Sequence, residues 1–500
     1  LPLAALLEPL SDEQVRTALR DLGGHDLSEL RAAFQAVDPT RPTVVFAYTV
    51  KGRGLPIEGS PSNHSALLYE DQYVELAATL GASAAAPWER FDASSEAGQL
   101  CADVRARLTR EPVLAGALAP VPVALGRVYR GEHSTQATLG RVLTDLARDA
   151  PEVAARIVTV SPDVASSTNQ GGWINKVGVW SPQDRHDWFA TDPATEGDRL
   201  VRWRESSGGQ HIELGIAEIN LVSLLGELGA TWSKLGQPLY PVGTVYDPFV
   251  GRALEPWAFG MYAGGQSILV GTPSGVTLAP EGGAHQSIGT PSIGLEQPGV
   301  TAWEPAFAIE TEWCFLEALA GLGRPDGESA YLRLSTRPVD QSLAALPDDH
   351  DERRAEVLAG AYVLRAADSP LVTLVGVGAL VPNVLEAASL LELLGLAVEV
   401  VVVTSYDRVW RAGQSRRGLL RGPARGVDES VLDRFASGVP MVTVIDGHPH
   451  TLAFLGAIAG VQVTCLGVSI FGQGGSVEDV HQHHGLDARS IVEAALDLID

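Results

Sequence analysis

The chain has 500 residues, 45% of them hydrophobic, which is long enough for roughly three globular domains with cores of their own. Its 61 acidic residues outnumber its 36 basic residues, and the resulting net charge of −25 disfavours nucleic acid and anionic membrane surfaces as partners. No apolar run has the length of a membrane span, and Cys101, Cys314 and Cys465 lack metal-ligand spacing, which favours a cytoplasmic protein with reduced thiols.

The first elements of the chain are two short helices and a strand. Ser11 and Asp26 each begin the spacing of a capping box, which predicts a helix after each of them. Residues 43–50 are mostly apolar and β-branched, so they predict a buried strand that ends at Lys51.

A polar loop follows this strand. Residues 54–65 are rich in Gly, Pro, Ser and Asn, and they include His64. A single histidine in a loop is usually solvated, so the composition of this loop alone assigns no chemical role to His64. Residues 81–133 are rich in Ala, Pro and charge, and they predict a linker with one or two helices.

A second unit begins with a helical pattern at Ser134. The strand pattern at 157–160 is followed by Asp163, which could cap a turn or reach a ligand. Residues 170–203 are too long for a plain connection, and long loops of this kind are often functional. The apolar run 329–334 predicts the last strand of the unit.

Within this unit, residues that can do chemistry follow three predicted strands. They are a carboxylate, two aromatics and a Glu/His pair: Glu218, Tyr246, Phe249, Glu281 and His285. Because the carboxyl ends of parallel strands meet at one sheet edge, we expect these side chains to lie together, where they would suit a flat, basic heterocycle. The alternatives are that Glu218 only caps a helix and that the aromatics only fill the core.

The last third of the chain alternates strand and helix patterns. These patterns fall at 371–376, 384–394, 398–404, 441–445, 451–458 and 461–466. Alternation at this spacing predicts a small doubly wound sheet.

These motifs, in this order, resemble the thiamine diphosphate enzymes of the transketolase group. Glu218 in a Gly-Ile-Ala-Glu turn, the aromatic pair and the Glu-x-x-x-His loop are similar to their pyrimidine-binding domain. Residues 51–54, 161–163 and 211–220 resemble the decarboxylase (first) component of homodimeric-type pyruvate dehydrogenase.

The resemblance implies an α/β, transketolase-like fold with four parts. These are the tail of a diphosphate-binding domain (1–80), a linker (81–133), a pyrimidine-binding parallel-sheet domain (134–345) and a smaller C-terminal doubly wound α/β domain (355–500).

The resemblance also assigns cofactor contacts. Glu218 would bond the far ring nitrogen of the thiamine diphosphate aminopyrimidine, and Tyr246 and Phe249 would stack on that ring. Asp163 and Lys51 would contribute further cofactor contacts.

The remaining implied roles concern the substrate, a 2-oxo acid. His285 would hydrogen-bond its oxygen or carboxylate, and Glu281 would help to position it. His64 and Lys51 would act later, when the acyl group passes to the lipoyl group of a second component. The histidines that the family places after His285 are replaced by residues 286–290, which leaves pyruvate and longer 2-oxo acids both open.

The resemblance finally implies partners. The Gly-Asp-Gly signature of the diphosphate domain, which accompanies the magnesium ligands, does not occur in this sequence. We therefore expect those ligands on an upstream domain or a partner chain, in a homodimer or heterotetramer, together with a lipoyl-bearing acyltransferase component. A transketolase-like ketol transferase and a non-catalytic partner subunit of the same fold stay open as alternatives.

Overall fold

The computed structural model of the chain describes residues 2–21, 23–110, 113, 116–186, 204–422, 424–436 and 438–500. The chain divides into two compact units, Leu1–Glu111 and Pro112–Asp500. None of the helices within these described ranges combines the length and the apolarity that a membrane span needs.

The N-terminal unit is helical in its described residues. Its helices are α1 (Pro2–Leu7), α2 (Asp12–Arg20), α3 (Leu27–Gln35), α4 (Glu70–Thr79) and α5 (Glu96–Leu108). The predicted cap at Ser11 is confirmed, because its hydroxyl accepts from the Gln14 N–H while the Gln14 side chain accepts from the Ser11 N–H. Asp26 caps α3 by accepting from the N–H groups of Ser28 and Glu29.

The strand predicted at 43–50 is wrong. These residues form no strand, and Val44 and Phe46 are 73% and 87% exposed. A strand needs a neighbour with which to exchange backbone hydrogen bonds, and the described part of the N-terminal unit contains none. Among its described hydrophobic residues only Ala77 is buried. This unit therefore has almost no core of its own.

The first domain of the second unit is built on a parallel sheet. Its strands are β1 (Glu132–His133), β2 (Ile157–Ser161), β3 (Val179–Trp180), β4 (Glu205–Ser206), β5 (His211–Glu213), β6 (Tyr240–Val245), β7 (Ile268–Gly271), β8 (Val300–Trp303), β9 (Ser329–Arg333) and β10 (Val339–Asp340). Eight of them form one sheet in the order β4-β3-β5-β2-β6-β7-β9-β8, with every pair parallel. β1 and β10 pair separately and antiparallel. The strands predicted at 157–160 and 329–334 are confirmed as β2 and β9.

Helices cover this sheet. They are α6 (Thr135–Asp149), α7 (Pro151–Ala154), α8 (Gly171–Val177), α9 (Glu218–Gly229), α10 (Thr231–Lys234), α11 (Val250–Tyr262), α12 (Ile293–Glu296) and α13 (Ala308–Ala320). Strands covered on both faces are nearly continuous apolar runs, and β6 and β7 are buried throughout. The loop predicted at 170–203 forms α8 and β3 in its first part, and residues 187–203 lie outside the described residues.

The contact between α9 and α11 is close because both helices carry glycine there. A Cβ on Gly226 of α9 would lie 3.0 Å from the Cα of Gly260 of α11. Beneath α9, a Cβ on Gly243 of β6 would lie 2.6 Å from the Leu225 side chain. The helix that begins at Glu218 is therefore seated directly on its neighbouring helix and strand.

The C-terminal domain is a mixed sheet with helices on it. Its strands are β11 (Ala361–Arg365), β12 (Val372–Val377), β13 (Val398–Val403), β14 (Met441–Val444) and β15 (Val463–Leu466). Its helices are α14 (His350–Ala359), α15 (Val381–Leu393), α16 (Tyr406–Arg416), α17 (Phe454–Ala459), α18 (Val477–His483) and α19 (Ala488–Ile499). The strand order is β11-β13-β12-β14-β15. The doubly wound α/β prediction is confirmed for its parallel strands, whereas antiparallel β11 was not predicted.

Candidate active site

The predicted site residues of the second unit follow strands that lie side by side. β5, β2, β6 and β7 are consecutive in the sheet. Glu218 begins α9 shortly after β5, Tyr246 follows β6 directly, and His285 lies in the loop after β7. The expected convergence at the carboxyl edge of a parallel sheet is therefore found.

Contacts join five of these side chains into one group, which we call the edge cluster: Glu218, Tyr246, Phe249, Arg252 and His285. The rings of Tyr246 and Phe249 are nearly parallel, 7° apart with centroids 6.4 Å apart. The His285 ring meets Phe249 edge-on at 5.9 Å. The Arg252 guanidinium carbon lies 4.6 Å from the Phe249 centroid, and its Nη1 is 3.6 Å from Glu218 Oε2.

Burial within the edge cluster is graded. Glu218 is only 6% exposed, whereas Tyr246, Phe249 and His285 are half-buried. The Arg252 side chain is 54% exposed. The carboxylate therefore lies at the buried base of the cluster, and the aromatic faces rise from it toward solvent.

Glu281 and Asp163 are exposed, unlike the base of the edge cluster. Glu281 ends a short 3₁₀ helix, Gly275–Glu281. Asp163 has a φ of +69°, which is uncommon for a residue with a side chain, and its N–H donates to Glu213 Oε1 at 2.6 Å. The turn after β2 is thus fixed to the end of β5.

Lys51 and His64 belong to the N-terminal unit, where they contact each other. Lys51 Nζ lies 2.6 Å from His64 Nδ1, and both residues are exposed. The Asn63 amide donates to the Lys51 carbonyl at 2.7 Å, and the Gly54 N–H donates to Glu58 at 2.9 Å. The predicted loop is thus ordered by its own polar contacts.

Sequence reasoning missed a buried network beneath the edge cluster, centred on Asp247. Asp247 lies between the two stacked aromatics in sequence and is fully buried. Its carboxylate accepts from Thr290 Oγ1 at 2.6 Å and Arg333 Nε at 3.0 Å, and also from the hydroxyls of Ser287 and Tyr331. Through these bonds the turn after β6 is tied to the loop after β7 and to β9.

The buried network continues to the C-terminal domain. Arg333 Nη1 donates to Glu304 at 2.6 Å, and the Glu304 N–H donates to the Thr404 carbonyl at 2.9 Å. Asp446, also buried, accepts from the Val276 N–H at 2.9 Å. Burial raises the pKa of Glu304 to about 7 although Arg333 opposes the shift, and burial also raises the pKa of Asp446.

Residues 286–290 contribute two donors to the buried network. In this segment, where the resemblance led us to expect histidines, the hydroxyls of Ser287 and Thr290 donate to the Asp247 carboxylate. Arg333 was the signal that could have revealed the network, because a charged residue at the end of an apolar strand needs a buried partner. Within the described residues, no group of three or more His, Cys, Asp or Glu side chains is placed to hold a metal ion.

Comparisons with known proteins place these features in a family. Residues 124–331 match the model of the pyruvate dehydrogenase E1 component middle domain, and residues 360–487 match that of the transketolase-like C-terminal domain. In these two segments the chain is similar to the transketolase-like family. The predicted family is therefore confirmed, while the predicted domain boundaries and residue roles stay predictions.

Curated relatives of this transketolase-like chain are pyruvate dehydrogenase E1 components. That of Mycobacterium tuberculosis is 25% identical over 472 residues, which cover 88% of this chain and 48% of the relative. That of Escherichia coli K12 is 24% identical over 520 residues, which cover 99% of this chain and 57% of the relative. The chain thus spans about half the length of the curated relatives it matches.

Solved transketolases share the fold. The Campylobacter jejuni enzyme superposes with a TM-score of 0.66 at 18% identity, over 95% of this chain and 66% of that chain. The Leishmania mexicana enzyme superposes with a TM-score of 0.66 at 17% identity, over 94% of this chain and 64% of that chain. The predicted transketolase-like fold is confirmed.

Proposed function

We propose that this chain carries the pyrimidine side of the active site of a thiamine diphosphate-dependent 2-oxo acid dehydrogenase. The reaction is oxidative decarboxylation of a 2-oxo acid, pyruvate first, with acyl transfer to the lipoyl group of an acyltransferase component. The edge cluster is the observation that carries this proposal, because it combines a buried carboxylate with two nearly parallel rings and a histidine. The names of the curated relatives support it.

The edge cluster fits the aminopyrimidine of this cofactor. Glu218 can share a proton with a ring nitrogen, since its carboxylate is buried beside aromatic faces. Tyr246 and Phe249 offer flat surfaces, and offset stacking contributes about 0.5–1.5 kcal/mol beyond burial, enough to orient a ring. When bound, thiamine diphosphate supplies the electron sink for decarboxylation.

The remaining residues act on the substrate. The half-buried His285, held edge-on against Phe249, can donate a hydrogen bond to the substrate oxygen. Glu281 and Asp163 are exposed on neighbouring loops and help to position the substrate and the cofactor. In the N-terminal unit, His64 and Lys51 act at the later acyl transfer.

A partner supplies the diphosphate and magnesium contacts. Large apolar side chains of the N-terminal unit, such as Phe46, Trp88 and Leu67, are 87%, 93% and 88% exposed. Several large apolar side chains left exposed to this degree support the proposal of an interaction surface on this unit. We infer that a diphosphate-binding domain or subunit covers it.

Calorimetry with thiamine diphosphate and magnesium tests the proposal. The 500-residue chain alone should bind weakly or not at all, and a fusion to the diphosphate-binding domain of a pyruvate dehydrogenase E1 component should bind. Micromolar, magnesium-dependent binding to the chain alone would show that the cofactor site is misplaced.

Assays of the fused protein separate the alternatives. Ferricyanide reduction with pyruvate supports the dehydrogenase, and ketol transfer between sugar phosphates would instead identify a transferase. A fusion that folds but binds no cofactor would identify a non-catalytic subunit. In that case Tyr246→Ala would leave the cofactor titration unchanged.

A further inference from the structure

The C-terminal domain contacts the loop that carries Glu281 and His285. This loop comprises residues 272–292, and we call it the β7–α12 loop. Near its start, the Val276 N–H donates to both carboxylate oxygens of Asp446, at 2.9 Å each. Asp446 follows β14, so this contact joins the loop to the end of a strand of the C-terminal sheet.

Further contacts hold the middle and the end of the β7–α12 loop. The Gln286 side chain, next to His285 in sequence, donates to the Gln473 carbonyl at 2.8 Å. Toward the end of the loop, the His448 N–H donates to the Ile288 carbonyl at 2.7 Å. Both partners belong to the C-terminal domain, so the loop is fixed from outside its own domain.

The Asp446 carboxylate packs directly on the backbone of the loop. Gly275 has a φ of +56°, and a Cβ there would lie 2.3 Å from that carboxylate. The Gly275 N–H donates to Ser287 Oγ at 3.1 Å, and Ser287 donates to Asp247 of the buried network. The start of the loop is therefore held between Asp446 and the buried network.

Charge pairing does not account for the presence of Asp446. It is 2% exposed and burial raises its pKa, so its carboxylate is costly in this place. Arg333 donates hydrogen bonds to Asp247 and Glu304 rather than to Asp446. The hydrogen bond that the Asp446 carboxylate accepts comes from the backbone of Val276. What this carboxylate does in the structure is to hold the loop.

We propose that Asp446 is a positioning residue for His285, acting through Val276 and the β7–α12 loop. The chain between them consists largely of two 3₁₀ helices, Gly275–Glu281 and Gly283–His285, which transmit a displacement at Val276 to His285. A misplacement of about 1 Å can cost about 100-fold in rate. This inference rests on the proposed function, which gives His285 its contact with the substrate.

Hydrogen exchange of the 500-residue chain, followed by mass spectrometry, tests the contact without any cofactor. In the wild type the Val276 amide should be protected from exchange. Asp446→Ala should raise the exchange rate of peptides that cover residues 274–287 by about tenfold or more, because the Val276 N–H loses its acceptor.

Asp407→Ala is the matched control. Asp407 is also a buried carboxylate of the C-terminal domain, 3% exposed, but its partners are Arg411 and the Ala302 N–H. Its removal should lower stability and leave exchange in the β7–α12 loop as in the wild type.

The imidazole NMR signal of His285 reports on the ring itself. In a chain with isotope-labelled histidine, this signal is identified by its loss in His285→Gln. It should shift in Asp446→Ala and keep its position in Asp407→Ala. A loss of stability alone does not move it, since the folded state gives the same signal whatever its free energy of unfolding.

Gly275→Ala decides the matter if Asp446→Ala fails to fold. The added Cβ separates the loop from the carboxylate, so exchange over 274–287 should rise and the His285 signal should shift. Where Asp446→Ala folds, adding Gly275→Ala to it should change little further, because the carboxylate that the Cβ would meet is gone.

Kinetics of the protein fused to the diphosphate-binding domain separate this inference from the proposed function. With pyruvate, Asp446→Ala should lower kcat/KM by about tenfold or more, while the affinity for thiamine diphosphate stays as in the wild type. A wild-type fusion that does not oxidise pyruvate would contradict the proposed function, and the exchange and NMR results would still decide whether Asp446 positions His285.

The opposite results would overturn the inference. One is fast exchange of the Val276 amide in the wild-type chain. Others are a β7–α12 loop and a His285 signal that stay unchanged in folded Asp446→Ala, equal changes in Asp407→Ala, and an unchanged kcat/KM in Asp446→Ala when the wild-type fusion is active.

Discussion

The edge cluster rests on fully buried charges, whereas the loop that holds Lys51 and His64 rests on contacts open to water. Asp247 and Arg333 are both fully buried beneath the aromatic turn. Lys51 and His64 are exposed, and they are joined by a single hydrogen bond of 2.6 Å. The two regions therefore hold the predicted site residues in environments that differ in burial.

This difference acts through the local dielectric. A charge inside a protein has lost its hydration, so each of its hydrogen bonds matters and the loss of one partner is costly. An exposed pair exchanges its partner for water at little cost. We expect substitutions in the buried network to change stability and geometry, and substitutions in the loop to change a chemical step alone.

Asp247→Ala should have the largest effect. It leaves Arg333 buried with Glu304 as its one carboxylate partner, and it removes the acceptor of Ser287 and Thr290. We expect the free energy of unfolding, measured in urea, to fall by about 3–5 kcal/mol. Asp340→Ala, which removes an exposed cap, is the control and should cost far less. Equal losses in the two variants would remove the contrast between the regions.

Glu218→Gln should keep the fold and impair the chemistry. The neutral amide cannot share a proton with the ring nitrogen, so we expect 2-oxo acid oxidation by the reconstituted protein to fall by roughly two to three orders of magnitude. Proton exchange at the thiazolium carbon, followed by NMR, reports on the same role. Exchange at the wild-type rate would show that Glu218 is not the activating acid.

The stability of the protein should depend on pH through the titration of Glu304. Its pKa is raised from 4.5 to about 7 by burial, so the folded state holds its proton more tightly than the unfolded state does. The corresponding stability is present below about pH 4.5 and is lost as the pH rises through about 7. Between these limits the free energy of unfolding should fall by roughly 3 kcal/mol through Glu304.

Glu304→Gln checks this assignment. The amide keeps the shape of the carboxyl group but does not titrate. In this variant the free energy of unfolding should therefore fall less steeply with pH between pH 5 and pH 8. Asp446 and Asp407 also have raised pKa values, so a smaller slope should remain. An unchanged slope in Glu304→Gln would contradict the prediction.

His64→Ala should reduce the rates in two assays to different extents. We expect ferricyanide-coupled oxidation of the 2-oxo acid to stay within about tenfold of the wild type, because the role proposed for His64 comes after decarboxylation. Acylation of lipoyl should fall by about 100-fold or more, which is what a positioned acid or base contributes. Parallel losses would instead assign His64 to decarboxylation.

Lys51→Met should have the smallest effect on stability. Lys51 is exposed, and water can replace its contact with His64. The urea midpoint should match that of the wild type, and lipoyl acylation should fall less than in His64→Ala. A clear shift of the midpoint would mean that the loop is held as firmly as the edge cluster.

The sequence predicted those elements whose signal is local. The apolar runs that became β6, β7 and β12 are continuous and buried, and parallel strands bring their ends to one edge. That is why Glu218, Tyr246 and His285 could be placed together in advance. The strand predicted at 43–50 failed because strand formation depends on a neighbour, which a local pattern does not reveal.

The buried network could not be predicted, because its partners are distant in sequence. Asp247 bonds to residues 40 to 86 positions away, and several arrangements of such polar residues are compatible with the same pattern. Antiparallel β11 was missed for a similar reason, since its direction depends on its pairing with β13. The approach of Arg252 to Glu218 was not predicted either, because it depends on how α9 packs against α11.

The glycine contact between α9 and α11 has a mechanical consequence. With Gly226 against Gly260, no side chain separates the two backbones, so there is no flexible layer through which one helix can slide or tilt on the other. Glu218 opens one of these helices and Arg252 lies near the start of the other. Any motion that involves α9 or α11 must therefore carry Glu218 and Arg252 together, as parts of one stiff block.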